Sequence, residues 1–365
     1  MPGSAMTDHS HEHSEKDEPN HAPDQAGEGA PVNPVLVDVI RGDMIESRHR
    51  GSVAIIDSHG QVELSIGDVL SPVFARSGIK PIQALALVET GAARAFGLGS
   101  AQVALACSSH NGANTHVDII RTWLGKIGCT EDDLECGTSL PWTDEAKQEL
   151  YATGEAATTA HDNCSGKHTG FLTVCKHLDF SVQGYTRFEH PMQQRLLGVL
   201  EQMTGMQLFE APKAIDGCGI PTIGIPLGNI AFAMARLGDP HDQPKERQEA
   251  CRRIRTAMAH EPYLVAGKDR FCTRVIGALG QAALVKTGAE GVYCATLTDK
   301  KLGVAIKIDD GSRRAAEAVM IRLLQNLNLI TDHAKGQLLN LLEPAIQSRA
   351  GKMVGLVRIA DGIPS

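Results

Sequence analysis

The chain has 365 residues, of which 42% are hydrophobic and 21% are charged, and its formal net charge is −8. This composition is typical of a soluble globular protein, and the acidic balance argues against nucleic acid or an anionic membrane surface as the main partner. No apolar run approaches the roughly 20 residues that span a bilayer, and no N-terminal basic segment leads into an apolar one, so no secretion signal is predicted.

The nine cysteines do not show the spacing of a secreted disulfide scaffold. We therefore expect a cytoplasmic protein with reduced, mostly buried thiols. Any unusual cysteine would be a metal ligand or a reactive thiol.

Residues 1–33 differ from the rest because they are polar, contain Pro and Gly, and have few large apolar side chains. Such a segment cannot bury enough surface to offset the entropy of ordering, so we predict a disordered tail. Its histidines leave loose binding of a divalent metal as an alternative. They are His9, His11, His13 and His21.

The folded part is predicted to begin near Asn33, and residues 35–68 alternate apolar and polar side chains between Gly, Asp and Ser. This pattern predicts antiparallel strands, with a hairpin turn at His59-Gly60. The apolar spacing of three and four in IQALALVETGAARAFG (82–97) predicts a helix. VALACSSH (103–110) fits either a buried strand or a buried helix that ends in a polar turn.

Residues 114–208 are predicted to be mainly helical, with loops at CGTSLPW and HDNCSGKH and a helix that has Pro191 in its first turn. Residues 281–312 predict three short strands with turns at GAEG and TDKK. Two amphipathic helices are expected at about 313–327 and 331–343. We therefore predict one α+β domain, residues 34–365. Strands from both ends form an antiparallel sheet, the helical block lies on one side, and the last helix covers a face.

The stretch FARSGIKPIQ (74–83) places Ser77 three residues before Lys80. Alone, this spacing fits either a nucleophile with its base or a helix start with an N-cap serine and a solvated lysine. A serine at a helix N-terminus can use free backbone N–H groups and the helix dipole to hold developing negative charge. A lysine one turn later lies over the same face, but it must be neutral to act as a base, which burial or a second cation favours.

Lys286 supplies a second cation, in the sequence Lys-Thr-Gly on a predicted apolar strand. An early Ser-x-x-Lys and a late Lys-Thr-Gly strand follow the order of serine β-lactamases and penicillin-binding proteins. In that geometry the oxyanion donors would be the backbone N–H groups of Ser77 and Ala289.

Three further polar clusters stand out. CSSHNGANTH (107–116) contains Ser109 in a polar turn, and HDNCSGKHTG (161–170) leads from a loop into a helix. DGCGIPT (216–222) sets Asp216 and Cys218 between glycines, where a backbone can approach a ligand closely. For each cysteine the alternative is a buried, inert thiol.

Together these stretches resemble the class 3, rhizobial-type L-asparaginases. The matching segments run in order over nearly all of the folded chain: ARSGIKPIQALA, CSSH, NCSGKH, HPMQ, DGCGIPT, DRFCT, LVKTGA and AIKIDDG. NCSGKH with DGCGIPT distinguishes this family from true β-lactamases. The resemblance implies a β-lactamase-like fold, a homodimer, and hydrolysis of L-asparagine to L-aspartate and ammonia.

The resemblance also implies roles for individual residues. Ser77 would be the nucleophile with Lys80 as its base, and Ser109 with Lys286 would form a second tandem. A zinc ion would be held by two cysteines, a lysine and a water, which here fall on Cys164, Lys167 and Cys218. We expect that ion to position the substrate or support the loop more than to generate hydroxide.

The substrate contacts are less sharply implied. Asp216 is expected to hold the substrate ammonium, and Arg76 or His168 its carboxylate. The His-rich tail departs from the family pattern. Three alternatives stay open at this point: a glutaminase, a penicillin-recognising acyl-serine hydrolase, and a non-enzymatic zinc-binding protein.

Overall fold

The computed structural model describes residues 32–342 and 344–364. The tail predicted from the sequence falls almost wholly on residues 1–31, outside the described residues, so its disorder and its metal binding stay predictions. Within the described ranges, no helix is both long and apolar enough to cross a membrane.

The strands divide between a large antiparallel sheet and a small one. The large sheet has the order β10-β11-β1-β2-β9-β8-β7, with β3 paired to the far part of β2, and the small sheet has the order β4-β6-β5. The strands, in chain order, are β1 (Val35–Arg41), β2 (Met44–Asp57), β3 (Val62–Ile66), β4 (Pro72–Phe74), β5 (Lys213–Ile215), β6 (Pro221–Pro226), β7 (Leu284–Thr287), β8 (Val292–Leu297), β9 (Leu302–Ile308), β10 (Ala345–Gln347) and β11 (Met353–Ile359).

The long strand β2 joins the two ends of the chain. Its first part pairs with β1, and its second part pairs with both β3 and β9, with Ile55 opposite Val304. The predicted sheet built from N-terminal and C-terminal strands is therefore confirmed. The β2–β3 turn spans 58–61, as the His59-Gly60 pattern predicts.

Most helices lie between β4 and β7, as the sequence pattern predicts. The helices, in chain order, are α1 (Lys80–Gln83), α2 (Leu85–Glu89), α3 (Ala92–Ala95), α4 (Ser100–Ala106), α5 (Asn114–Lys126), α6 (Asp144–Thr153), α7 (Ser165–His177), α8 (Pro191–Thr204), α9 (Leu227–Gly238), α10 (Lys245–His260), α11 (Pro262–Ala266), α12 (Phe271–Leu279), α13 (Arg313–Asn326) and α14 (Asp332–Leu342).

Strand β9 is buried along almost its whole length because helices cover both faces of the large sheet. Helix α9 packs against β2, β8 and β9, and α13 packs against β1, β8, β9 and β11. At Gly303 the α9 backbone comes so close that a Cβ would lie 1.9 Å from the carbonyl oxygen of Ala231. Apolar contact on both sides of these strands forms the core.

Local predictions hold for several helices and fail for one. VALACSSH follows the helical alternative, because its first four residues end α4 and the rest forms a polar turn, and Pro191 occupies the first turn of α8. The helix predicted over 82–97 is instead broken into three short ones, and that prediction is wrong. Gly91 has φ +83 between α2 and α3, a left-handed conformation that ends one helix and starts the next.

The C-terminal end also departs from expectation. The sequence pattern predicts the last helix on a face of the sheet, whereas α13 takes that place and α14 packs against α12 and α13. Beyond α14 the chain forms a hairpin of β10 and β11, which extends the sheet next to β1. Our prediction missed this hairpin, although Gly351, with φ +76, lies in its turn.

Candidate active site

Ser77 lies in a tight turn that packs against strands β7 and β8. The 3₁₀ turn Arg76–Ile79 leads directly into α1. Arg76 has φ +47, a conformation that costs energy for a non-glycine residue and is often found at functional sites. Two glycines permit the close approach: a Cβ on Gly288 would lie 2.8 Å from the Ala75 carbonyl oxygen, and one on Gly78 would lie 2.9 Å from Cys294 Sγ.

Two buried lysines meet at the hydroxyl of Ser109. Lys80 Nζ lies 3.1 Å from Ser109 Oγ, and Lys286 Nζ lies 2.8 Å from the same atom. Each lysine is only 1% exposed. Buried amines near a single hydroxyl are an arrangement that can move protons, because the hydroxyl can both donate and accept.

Different elements bring these three side chains together. Lys80 begins α1, Lys286 lies within β7, and Ser109 follows α4. The Ser109 N–H donates to the carbonyl of Val265 at 3.0 Å, which fixes the turn. The sequence places the two amines on separate elements, and only the packing of the helical block against β7 makes them neighbours.

The two amines have different surroundings. Burial, reinforced by the charge of Lys80, lowers the pKa of Lys286 to about 7. Lys80 Nζ instead contacts the carbonyl oxygen of Ser108 at 2.5 Å and the sulfur of Cys164 at 3.1 Å. Lys286 Nζ also donates to the carbonyl oxygen of Thr287 at 2.9 Å, so each amine has a carbonyl acceptor, and burial is what favours the neutral form of Lys286.

The Ser77 hydroxyl itself makes no hydrogen bond with either lysine among the described residues. Its backbone N–H lies in the first turn of the 3₁₀ segment, where N–H groups lack partners within the turn. Ser77 and Ala289 line the same cavity, and the Ala289 N–H has no acceptor among the described residues. Both residues that carry the predicted backbone donors therefore border one cavity.

Two cysteines and a lysine form a second buried cluster. Lys167 Nζ donates to Cys218 Sγ at 3.0 Å. The interaction between the two thiols, together with burial, raises the pKa of Cys164, and the same interaction lowers the pKa of Cys218 although burial opposes it. Although burial opposes it, the charge of the Cys164 and Cys218 sulfurs raises the pKa of Lys167. The α7 helix begins at Ser165, so Cys164 and Lys167 share its first turn.

This cluster is suited to a zinc ion, because two sulfurs and an amine converge and zinc takes sulfur and nitrogen ligands. Among the described residues, no group of three or more His, Cys, Asp or Glu side chains could hold a metal. A metal at this cluster therefore requires the Lys167 amine as a ligand, with its proton displaced.

The predicted substrate contacts lie in different places. Asp216 Oδ1 accepts from Arg76 Nη2 at 2.7 Å and from Arg76 Nε at 3.0 Å. Although burial opposes it, this arginine lowers the pKa of the Asp216 carboxyl. The Arg76 guanidinium is thus already paired. His168 is completely buried, with Nδ1 2.7 Å from the Tyr185 hydroxyl, and it does not line the cavity.

Ser77 and Ser109 line a cavity of about 270 Å³. It is also lined by residues to which the sequence analysis gave no role, namely Trp142, Asn163, Arg270, Thr287 and Arg313. Asn163 belongs to NCSGKH, Thr287 to LVKTGA and Arg270 to DRFCT, so three of them lie in stretches that carried the resemblance. Trp142 and Arg313 had no local signal.

A family model described as L-asparaginase II matches residues 37–359. No curated protein matches the sequence significantly. Among solved structures, Mglu in its tris and glutamate form is 14% identical, with 82% of this chain covered and a TM-score of 0.45. This chain spans 64% of the length of that Mglu chain.

Two other solved structures are similar at the same level. A Bacillus glutaminase is 12% identical, with 76% of this chain and 91% of that chain covered and a TM-score of 0.42. The D-alanine carboxypeptidase AmpC from Burkholderia cenocepacia is 14% identical, with 76% and 93% covered and a TM-score of 0.39. At these identities and TM-scores, the likenesses carry no argument about the reaction.

Proposed function

Because the chain belongs to the L-asparaginase II family, we propose that it hydrolyses L-asparagine to L-aspartate and ammonia through an acyl-enzyme on Ser77. The observation that carries this proposal is the pair of buried amines, Lys80 and Lys286, on the hydroxyl of Ser109 beside a cavity that Ser77 also lines. An amidohydrolase with a serine nucleophile needs a neighbouring base such as a neutral amine, because a free hydroxyl is a weak nucleophile.

The first stage forms the acyl-enzyme. The Ser77 oxygen attacks the side-chain amide carbon while Lys80 takes the hydroxyl proton, and the carbon–nitrogen bond then breaks as the leaving nitrogen receives a proton. The Ser109 hydroxyl can pass a proton between Lys80 and Lys286, since it lies within hydrogen-bond distance of both. Water then hydrolyses the ester and restores Ser77.

Negative charge develops on the amide oxygen during attack. The backbone N–H groups of Ser77 and Ala289 are the donors proposed for it, and both residues line the cavity. Preorganised donors of this kind contribute about 3–4 kcal/mol each to the transition state.

A zinc ion would be held by Cys164, Lys167 and Cys218. When bound, it would supply a fixed positive charge beside the cavity. The cluster also supports Lys80, whose amine contacts Cys164 Sγ. Asp216 is the proposed partner of the substrate ammonium, and its ion pair with Arg76 orients the carboxylate. Carboxylate binding by Arg76 or His168 stays a prediction, but Arg76 is already paired with Asp216 and His168 does not line the cavity. The homodimer also stays a prediction, which light scattering would test.

The decisive experiment measures ammonia release from a panel of amino-acid amides that includes L-asparagine and L-glutamine. We expect Ser77→Ala to abolish release, and Ser109→Ala to lower kcat/KM by about 100-fold or more, as expected when a proton-transfer group is lost. Ser108→Ala is the matched control, because the Ser108 hydroxyl is buried without a hydrogen-bond partner among the described residues.

Several outcomes would contradict the proposal. Normal turnover by Ser77→Ala would exclude Ser77 as the nucleophile. Preference for L-glutamine would identify a glutaminase. Covalent labelling of Ser77 by a fluorescent penicillin, without amide hydrolysis, would favour a penicillin-recognising enzyme. A protein that holds zinc and releases no ammonia from any amide would favour the metal-binding alternative.

A further inference from the structure

A positive charge without a carboxylate partner faces the active-site cavity. Arg270 lines this cavity together with Ser77 and Ser109. Its guanidinium carbon lies 4.8 Å from the centre of the Trp142 ring, and its Nη1 donates to Asn111 Oδ1 at 3.0 Å. Among the described residues Arg270 forms no salt bridge. An aromatic face and a neutral amide orient the guanidinium without pairing it directly with a carboxylate.

Asn111 is hydrogen-bonded to both Arg270 and Trp142. Its side chain accepts from Arg270, and its backbone carbonyl accepts from the Trp142 N–H at 2.9 Å. Behind it, Gly267 has φ +111, and a Cβ there would lie 2.4 Å from Asn111 Nδ2. Only glycine leaves this space, so the loop before α12 closes against Asn111. Arg270 is also the N-cap residue of α12, which fixes its backbone.

The other arginines around the cavity have carboxylate neighbours. Arg76 is paired with Asp216 at 2.7 Å. Arg313, whose side chain is 58% exposed, lies 3.9 Å from Glu317. Arg270 is thus the cavity-lining arginine without a carboxylate at salt-bridge distance among the described residues, although the Glu317 carboxyl interacts with its charge at longer range. A ligand with a carboxylate would supply a direct partner.

We propose that Arg270 binds the α-carboxylate of a free amino-acid amide and that Trp142 and Asn111 hold its guanidinium in position. The inference rests on the proposed amide hydrolysis and names the class of substrate. A guanidinium can bind a carboxylate through two parallel hydrogen bonds. The cavity of about 270 Å³ also contains both serines, so the carboxylate and the scissile amide belong to one small molecule. An asparagine within a peptide has no such carboxylate and is rejected.

The test compares L-asparagine with 3-aminopropanamide, which is the same molecule without its α-carboxylate. Both are assayed by ammonia release, and 3-aminopropanamide also as a competitive inhibitor, so that the comparison holds even if its turnover is slow. Arg270→Gln should lower kcat/KM for L-asparagine by about 10- to 100-fold, as expected for lost hydrogen bonds to a charged group. The values for 3-aminopropanamide should change by less than about threefold, and Arg270→Lys should recover part of the loss.

Arg274→Gln is the matched control, because Arg274 lies one turn later on α12 and bonds to Gln337 and Asn340 instead. It should leave both compounds unaffected. Equal losses for both compounds in Arg270→Gln would overturn the carboxylate assignment and indicate a structural role. Absence of ammonia release by the wild-type protein would instead overturn the proposed function. If Arg270→Gln does not fold, Trp142→Ala, which frees the guanidinium, should show the same selective loss for L-asparagine.

Discussion

Replacement of Lys286 by methionine tests the buried amine without reference to activity. Burial and the charge of Lys80 lower the pKa of Lys286 from 10.5 to about 7 in the folded protein. In the unfolded chain the amine keeps its proton up to about pH 10.4. Between these values the unfolded state binds one more proton than the folded state, so the free energy of unfolding rises with pH. The full shift corresponds to about 5 kcal/mol, and each pH unit within the window contributes about 1.4 kcal/mol.

The assay is urea unfolding followed by circular dichroism at several pH values. From about pH 7.5 to about pH 9.5, the wild type should gain about 3 kcal/mol relative to Lys286→Met. Loss of the hydrogen bonds to Ser109 and Thr287 changes the free energy of unfolding by the same amount at every pH. The pH dependence of the free energy of unfolding therefore reports the titration of the amine. Lys300→Met, at an exposed lysine, should follow the wild-type profile. Parallel profiles for wild type and Lys286→Met would refute the argument that burial holds this amine neutral.

Three further predictions follow from the same contacts. The kcat/KM for L-asparagine should rise through about pH 7 and then level off, because Lys286 must be neutral to accept a proton; a profile that falls over this range would contradict its role. Elemental analysis should find about one zinc per chain in the wild type and a loss in Cys164→Ala and Cys218→Ala, since each supplies a sulfur; unchanged zinc would exclude these ligands. Gly303→Ala should destabilise the protein by about 3 kcal/mol because its Cβ would strike the α9 backbone, whereas Gly277→Ala, with open space around it, should be neutral or stabilising in thermal unfolding.

The strands β1 to β3 and β7 to β9 were predictable because their signals are local, whereas the strands of the small sheet were not predicted. Alternating apolar residues and turn residues such as His59-Gly60 and GAEG determine the strand boundaries within a few residues. The break at Gly91 and the hairpin of β10 and β11 were not predicted. In both cases a glycine with positive φ interrupts or reverses the chain, and nothing in the apolar spacing reveals which of 37 glycines adopts that conformation.

The candidate active site was likewise predictable only in part. The sequence by itself determined which groups are present: a serine three residues before a lysine, a lysine on an apolar strand, and cysteines beside glycines. Only the tertiary structure decided which of them meet, for Lys286 and Ser109 are 177 residues apart and share a hydrogen bond. It also paired Arg76 with Asp216, buried His168 away from the cavity, and left Arg270 facing it. The reason is physical: spacing along the chain sets the local period, whereas the distances between elements depend on sheet register and on packing, which involve the whole sequence.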